Sequence, residues 1–157
     1  MEQRRVPLLM LIPPPILYAV TFAAGMGLER LATWAPAWTR APALHGLGWV
    51  LAGCGAVLAL ASAGMFGLRR TTLKPWGRAA QLVDSGPFAL SRNPMYVSLT
   101  LAYLGLALGL GKFWPLVLLI LPVAVMNAVV IPFEEARMRD AFGQSYADYC
   151  RRVRRWV

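Results

Sequence analysis

Phe113-Trp114-Pro115-Leu116-Val117-Leu118-Leu119-Ile120-Leu121-Pro122-Val123-Ala124-Val125-Met126-Asn127-Ala128-Val129-Val130-Ile131-Pro132-Phe133 carries no charge and is followed at once by Glu134 and Glu135. A run of about 20 apolar residues crosses the hydrocarbon core of a bilayer as a helix. Three more uncharged stretches lie upstream, at 6–28, 41–68 and 95–111. The third is short, and Lys112 alone separates it from the fourth, so these two are predicted to form a tight helical hairpin. Apolar residues make up 58% of the 157-residue chain and charged ones 15%, too few to solvate a soluble domain of this length. The predicted fold is all-α: a single domain, 1–157, built as an integral membrane bundle of four transmembrane helices with a C-terminal amphipathic helical tail.

The net charge of +9 is unevenly placed. Arg4 and Arg5 precede the first stretch. Arg69, Arg70, Lys74, Arg78 and Arg92 lie between the second and third, and Arg137, Arg139, Arg151, Arg152, Arg154 and Arg155 follow the fourth. With four spans all of these share one side, and only Arg30, Arg40 and Lys112 occupy the other. The positive-inside rule then places both termini and the middle loop in the cytoplasm of a multi-pass protein of the inner or plasma membrane. Arginines that flank spans serve topology and anionic lipid, so nucleic acid is not an expected partner. The run after Arg4-Arg5 is longer than a signal-peptide core and lacks a small-x-small cleavage site, which favours a retained first helix. Cys54 falls mid-membrane and Cys150 in the tail, so no disulfide is expected, and neither has partners at metal-ligand spacing.

Local punctuation refines the spans. Pro13-Pro14-Pro15 predicts a break or kink near the start of the first helix. Trp34 and Trp38, in the external connection at 29–42, suit the headgroup interface. Gly46, Gly48, Gly53, Gly55, Gly64 and Gly67 in the second stretch, with the GxxxG of Gly105 and Gly109 in the third, allow close helix packing. Lys74-Pro75-Trp76-Gly77 and Ser85-Gly86-Pro87 mark turns in the middle loop. Asn93-Pro94 reads as an N-cap and first helical residue. Beyond Pro132 an amphipathic helix is expected over 133–142, then a break at Gly143 and a second short helix carrying Tyr146, Tyr149 and Val153.

One polar cluster stands out. Arg92, Asn93 and Tyr96 occupy a helix N-terminus, where free backbone N–H groups favour an anion. The hairpin returns Glu134 and Glu135 to the same membrane face. A donor-rich basic end beside paired carboxylates suits a ligand bearing both a carboxylate and a cationic centre. S-adenosylmethionine is one such zwitterion, with Arg92 on its carboxylate and a glutamate on its amine or ribose. Plain readings stand beside this: Arg92 as a topology anchor, Asn93-Pro94 as a cap, Tyr96 as an interfacial aromatic, and Glu135 as an i,i+4 brace for Arg139.

Leu82-Val83-Asp84-Ser85-Gly86-Pro87-Phe88, Arg92-Asn93-Pro94-Met95-Tyr96, Glu134-Glu135 and Phe142-Gly143-Gln144-Ser145-Tyr146-Ala147-Asp148-Tyr149 come in an order that resembles one superfamily. It is that of the isoprenylcysteine carboxyl methyltransferases and phospholipid N-methyltransferases, which are integral membrane enzymes. The resemblance covers the cofactor-binding half, about 73–156. It implies that S-adenosylmethionine binds at the cytoplasmic side through Arg92, Asn93, Pro94, Tyr96, Glu134, Glu135, Tyr146 and Tyr149. Gly53 and Gly55 are a counterpart of a Gly-x-Gly element in phospholipid-type members. Many carboxyl methyltransferase members have His where this chain has Asn93, which does not titrate near neutrality.

The implied reaction is displacement at the sulfonium methyl by a carboxylate, amine or thiol of a lipidic or small membrane-partitioning acceptor. Most of its acceleration comes from positioning. A carboxylate or thiolate acceptor needs a nearby cation, Arg92 or Arg137. An amine acceptor needs a base, Glu134 or Glu135. No metal is implied. The competing expectation is a non-catalytic four-helix membrane scaffold or interaction protein.

Overall fold

A computed structural model of the chain describes residues 12–32, 34–68 and 82–157. The turn expected at Lys74-Pro75-Trp76-Gly77 and the basic residues Arg4, Arg5, Arg69, Arg70, Lys74 and Arg78 lie outside them. Helices account for most of the described chain, and no strand occurs among the described residues. Helix α1 spans Pro14–Leu31, α2 Pro42–Leu68 and α3 Pro94–Gly109. A final helical column follows: α4 (Phe113–Leu118), α5 (Ile120–Val125), a π-helical turn (Met126–Val130) and α6 (Ile131–Arg152).

Each boundary has a local cause. The proline triplet starts α1 rather than kinking it: Pro13 is the cap residue, and prolines fill the first turn, where a missing N–H costs nothing. Residues 110–112 make the hairpin between α3 and α4, with Gly111 at φ 63° taking a left-handed turn that a side chain resists. In the final column Pro122 cannot donate to the Leu118 carbonyl, and the helix is interrupted between α4 and α5. Pro132 has the same effect one segment on, where the π turn absorbs it. Gly143, at φ 49° and ψ −120°, then kinks α6 where the sequence predicts a break.

Two of these helices, Pro42–Met65 and Phe113–Arg152, are long and apolar enough to cross a membrane. Their outward faces are aliphatic: Val57, Leu60, Ile120 and Leu121 are exposed. Hydroxyls within the helices bond to carbonyls of their own chain, Ser62 to Leu58, Ser98 to Met95 and Thr100 to Tyr96, as an apolar solvent demands.

The broadest helix contact is the antiparallel packing of α2 on α3. A Cβ on Gly105 would collide with the Ala52 backbone, and one on Gly48 with Gly109. One on Gly55 would lie 2.7 Å from the Ala102 nitrogen and 2.8 Å from the Ser98 oxygen. The predicted small-residue contact is therefore present, on the face of Gly48, Ala52 and Gly55. Gly46, Gly53 and Gly64 face open space. Gly105→Ala is accordingly expected to lower stability by about 1–3 kcal/mol through overpacking. Gly53→Ala should match or exceed wild type, because alanine favours a helix by about 1 kcal/mol. Thermal unfolding of both variants in one detergent is the measurement.

Helix α1 packs on α4 and α5 and closes the bundle around Tyr18, Tyr96, Tyr103, Met126, Val130 and Ile131. A second apolar cluster, of Tyr146, Tyr149 and Val153, lies beneath the end of α6 against Leu82, Met138 and Phe142.

Candidate functional site

The site forms where the start of α3 meets the start of α6. Tyr96, one turn into α3, is buried and donates its hydroxyl to Glu134 Oε1 at 2.8 Å. Arg137, one turn beyond Glu134 on the same face, is near enough to act on its charge. Glu135 is turned by about 100° around the helix and faces other partners. It is 5% exposed. Arg155 grips it with two parallel bonds, Nε to Oε1 at 3.0 Å and Nη2 to Oε2 at 2.8 Å. Arg92 Nη2 stands 3.4 Å from Oε1, and Arg139 Nη2 3.9 Å from Oε2. The expected brace to Arg139 exists but is the longest of the three. Hydrogen bonding to Glu135 raises the pKa of the Arg155 guanidinium above its usual value.

Arg92 is held on several sides. Its backbone N–H donates to the Arg154 carbonyl at 2.9 Å, and Nη1 to Cys150 Sγ at 2.7 Å. Its Nε is buried and has no hydrogen-bond partner among the described residues. A buried donor on a guanidinium is costly to leave unmade, so this atom is where an additional acceptor would be favoured.

The structure corrects one assignment. Asn93 precedes α3 but its side chain makes no capping bond. It donates instead from Nδ2 to the Arg155 carbonyl at 2.9 Å. Ser91 Oγ accepts the Asn93 N–H at 3.0 Å and donates to the same carbonyl at 3.3 Å. The cause is the end of the chain. Val153 is extended (φ −122°, ψ 133°), and the residues after it double back along the start of α3. The Arg155 carbonyl takes the Asn93 side-chain amide and so turns it away from the free N–H groups of α3. Trp156 Nε1 and Arg155 Nη1 also approach Asn127 Oδ1 in the π turn, at 3.4 and 3.5 Å.

The tail tyrosines sit close by. Tyr149 donates to the Phe88 carbonyl at 2.7 Å, fastening α6 to the 3-10 turn Gly86–Ala89. Tyr146 is buried beside it, the ring centroids 6.0 Å apart, and its hydroxyl lies against Cys150. Pro94 is fully buried at the first position of α3. Arg92, Asn93, Tyr96, Glu134 and Glu135 are thus brought to one end of the bundle as two adjacent sets, Tyr96 with Glu134 and Arg92 and Asn93 with Glu135 and Arg155, with Tyr146 bordering the second. Gly55 is instead taken up by packing on α3, and Gly53 opens outward from α2.

The sequence pattern assigns no site role to Cys150, Arg154 and Arg155. The two arginines register only as net charge, and three of the tail's contacts run through their two backbone carbonyls. An arginine pair just past an amphipathic helix whose buried glutamate needs a cation is the signal that was available.

Comparison with known proteins adds one match. The family model described as phospholipid methyltransferase matches residues 43–145. The matched region begins in α2, earlier than the half picked out by motif, and it contains Arg92, Asn93, Pro94, Tyr96, Glu134 and Glu135. Tyr146 and Tyr149 lie just beyond it. No curated protein and no solved structure matches the chain. With a tyrosine–carboxylate and an arginine–carboxylate pair inside a match that covers more than half of the sequence, the chain belongs to the phospholipid methyltransferase family.

Proposed function

We propose that this protein is an S-adenosylmethionine-dependent methyltransferase that modifies a lipidic acceptor at the cytoplasmic face of the membrane. Family membership supports methyl transfer at a membrane. The observation that carries the residue-level reading is the convergence of Arg92, Tyr96, Glu134 and Glu135 at one end of the bundle. The expected arrangement of four spans, with both termini and the site in the cytoplasm, is part of the proposal and rests on the lysine and arginine distribution.

The residues present fit the cofactor. Arg92 Nε, buried and with no hydrogen-bond partner among the described residues, suits a carboxylate, and Glu135, held by three arginines, fixes the Arg92 guanidinium beside it. Asn93, Pro94 and Tyr146 border the same space. S-adenosylmethionine, when bound, supplies a methyl group made electrophilic by its sulfonium. The protein's own part is to orient and to manage one proton. Among carboxylate, amine and thiol acceptors, the family description favours a phospholipid amine, which must lose a proton as it is methylated. Glu134 is the base, because among the described residues Tyr96 alone is hydrogen-bonded to it, whereas Glu135 is committed to three arginines. Tyr96 fixes the direction of the Glu134 carboxylate, and Arg137 offsets charge beside it.

Purified full-length protein in nanodiscs, titrated with methyl-labelled S-adenosylmethionine, is the test. Saturable binding is expected, together with label transferred to phosphatidylethanolamine in the same discs. Arg92→Ala should weaken binding by about 1.5–3 kcal/mol, the value of a hydrogen bond to a charged group. A folded chain that binds no cofactor and labels no lipid would leave the scaffold reading in its place.

A further inference from the structure

At the opposite end of the bundle, one length of α3 away (16 residues, about 24 Å), lies a second polar site. A crevice of about 390 Å³ opens between the end of α1, the connection to α2 and the hairpin that follows α3. Glu29, Thr39, Arg40, His45 and Lys112 supply its polar wall, and Ala32, Ala35 and Leu110 its apolar floor.

The charges are not balanced within it. Glu29 is already engaged, its Oε2 accepting the Trp114 N–H at 3.1 Å in the first turn of α4, where a negative charge is favoured. His45 Nε2 lies 2.7 Å from the Thr39 carbonyl, so the proton sits on that nitrogen. Arg40 and Lys112 form no ion pair among the described residues. Among the described residues two cations thus face the crevice, and a single carboxylate, itself capping a helix, opposes them. The fold maintains the opening: Gly111, in a left-handed conformation, brings its backbone against His45 and Thr39, and a Cβ there would lie 2.8 Å from each. Exposed Trp34 and Trp38, stacked edge-on against Phe113, ring the same end and suit the depth of lipid headgroups.

We propose that this crevice binds the phosphodiester headgroup of an anionic glycerophospholipid in the leaflet opposite the catalytic site. Arg40 and Lys112 contact the phosphate, and the lipid glycerol lies along Ala32, Ala35 and Leu110. The proposal rests on the membrane orientation proposed above but not on methyl transfer, so loss of lipid retention and loss of cofactor binding are read separately.

Native mass spectrometry of the full chain incubated with phosphatidylglycerol tests it, alongside diacylglycerol of the same acyl chains and inorganic phosphate as competitor. Wild type is expected to retain phosphatidylglycerol and not diacylglycerol, with no displacement by millimolar phosphate. The double variant Arg40→Gln/Lys112→Gln should lose affinity at least about tenfold, and Arg40→Lys/Lys112→Arg should keep it. A thermal melt checks that each variant is folded. Equal retention by the neutral double variant overturns the site, as does equal retention of diacylglycerol. Loss only on changing Arg151 and Arg152 at the other end overturns its location, and displacement by inorganic phosphate overturns the lipid as its occupant.

Discussion

Glu135→Gln is expected to lower stability by about 3 kcal/mol, the low end of the cost of breaking a buried ion pair. The side chain is nearly inaccessible, and its carboxylate is the only anion paired with Arg92, Arg139 and Arg155 among the described residues. Glutamine keeps the shape but removes the charge, so three guanidiniums are left facing each other. Arg92 suffers most, being 15% exposed against 57% for Arg139 and 35% for Arg155. The loss should propagate to the last residues of the chain, because Arg155 would then be held there only by its backbone carbonyl and a long contact to Asn127. A lower melting temperature, with protease cleavage appearing first after Val153, is the expected result. A variant that melts with wild type would show that the arginines satisfy one another through solvent and that Glu135 is free for a ligand.

Much of this architecture is legible in the order of residues, for identifiable reasons. Apolar runs bounded by Pro94, Lys112 and Gly143 mark where helices start, turn and kink, because proline and glycine act through their own backbone and need no partner. The packing of Gly105 and Gly109 against α2 was readable for a related reason: small residues four apart share a face. Which α2 glycines would meet them was not, since Gly53 and Gly55 differ only in direction around a helix and the direction is set by α3. The same limit applies to the site. Tyr96 and the glutamate pair are visible as polar residues at a span boundary, but their division of labour depends on the 100° between Glu134 and Glu135 and on what stands opposite each. The fold-back after Val153 left no trace of periodicity, and it binds Arg92 and Asn93 through carbonyls that every residue possesses. Local rules favour Asn93 as a cap, and a tertiary acceptor displaces that role.

Glu134→Gln should give the opposite pattern to its neighbour, with catalysis lost and the fold kept. The amide oxygen of glutamine still accepts the Tyr96 hydroxyl, so the 2.8 Å contact between α3 and α6 survives and the melting temperature should stay near that of wild type. What disappears, on the proposed mechanism, is the capacity to take a proton from an amine nucleophile. Positioned general bases contribute about 100-fold or more to rate, so turnover of phosphatidylethanolamine should fall by at least that factor. Tyr96→Phe separates orientation from basicity. It keeps the carboxylate but frees it to rotate, and a smaller loss of turnover is expected, with cofactor affinity little changed. Turnover, cofactor affinity and melting temperature measured on the same preparations distinguish the roles. If Glu134→Gln is stable and turns over lipid at the wild-type rate, the base lies elsewhere, and the Tyr96–Glu134 bond is a structural link between two helices rather than part of the chemistry.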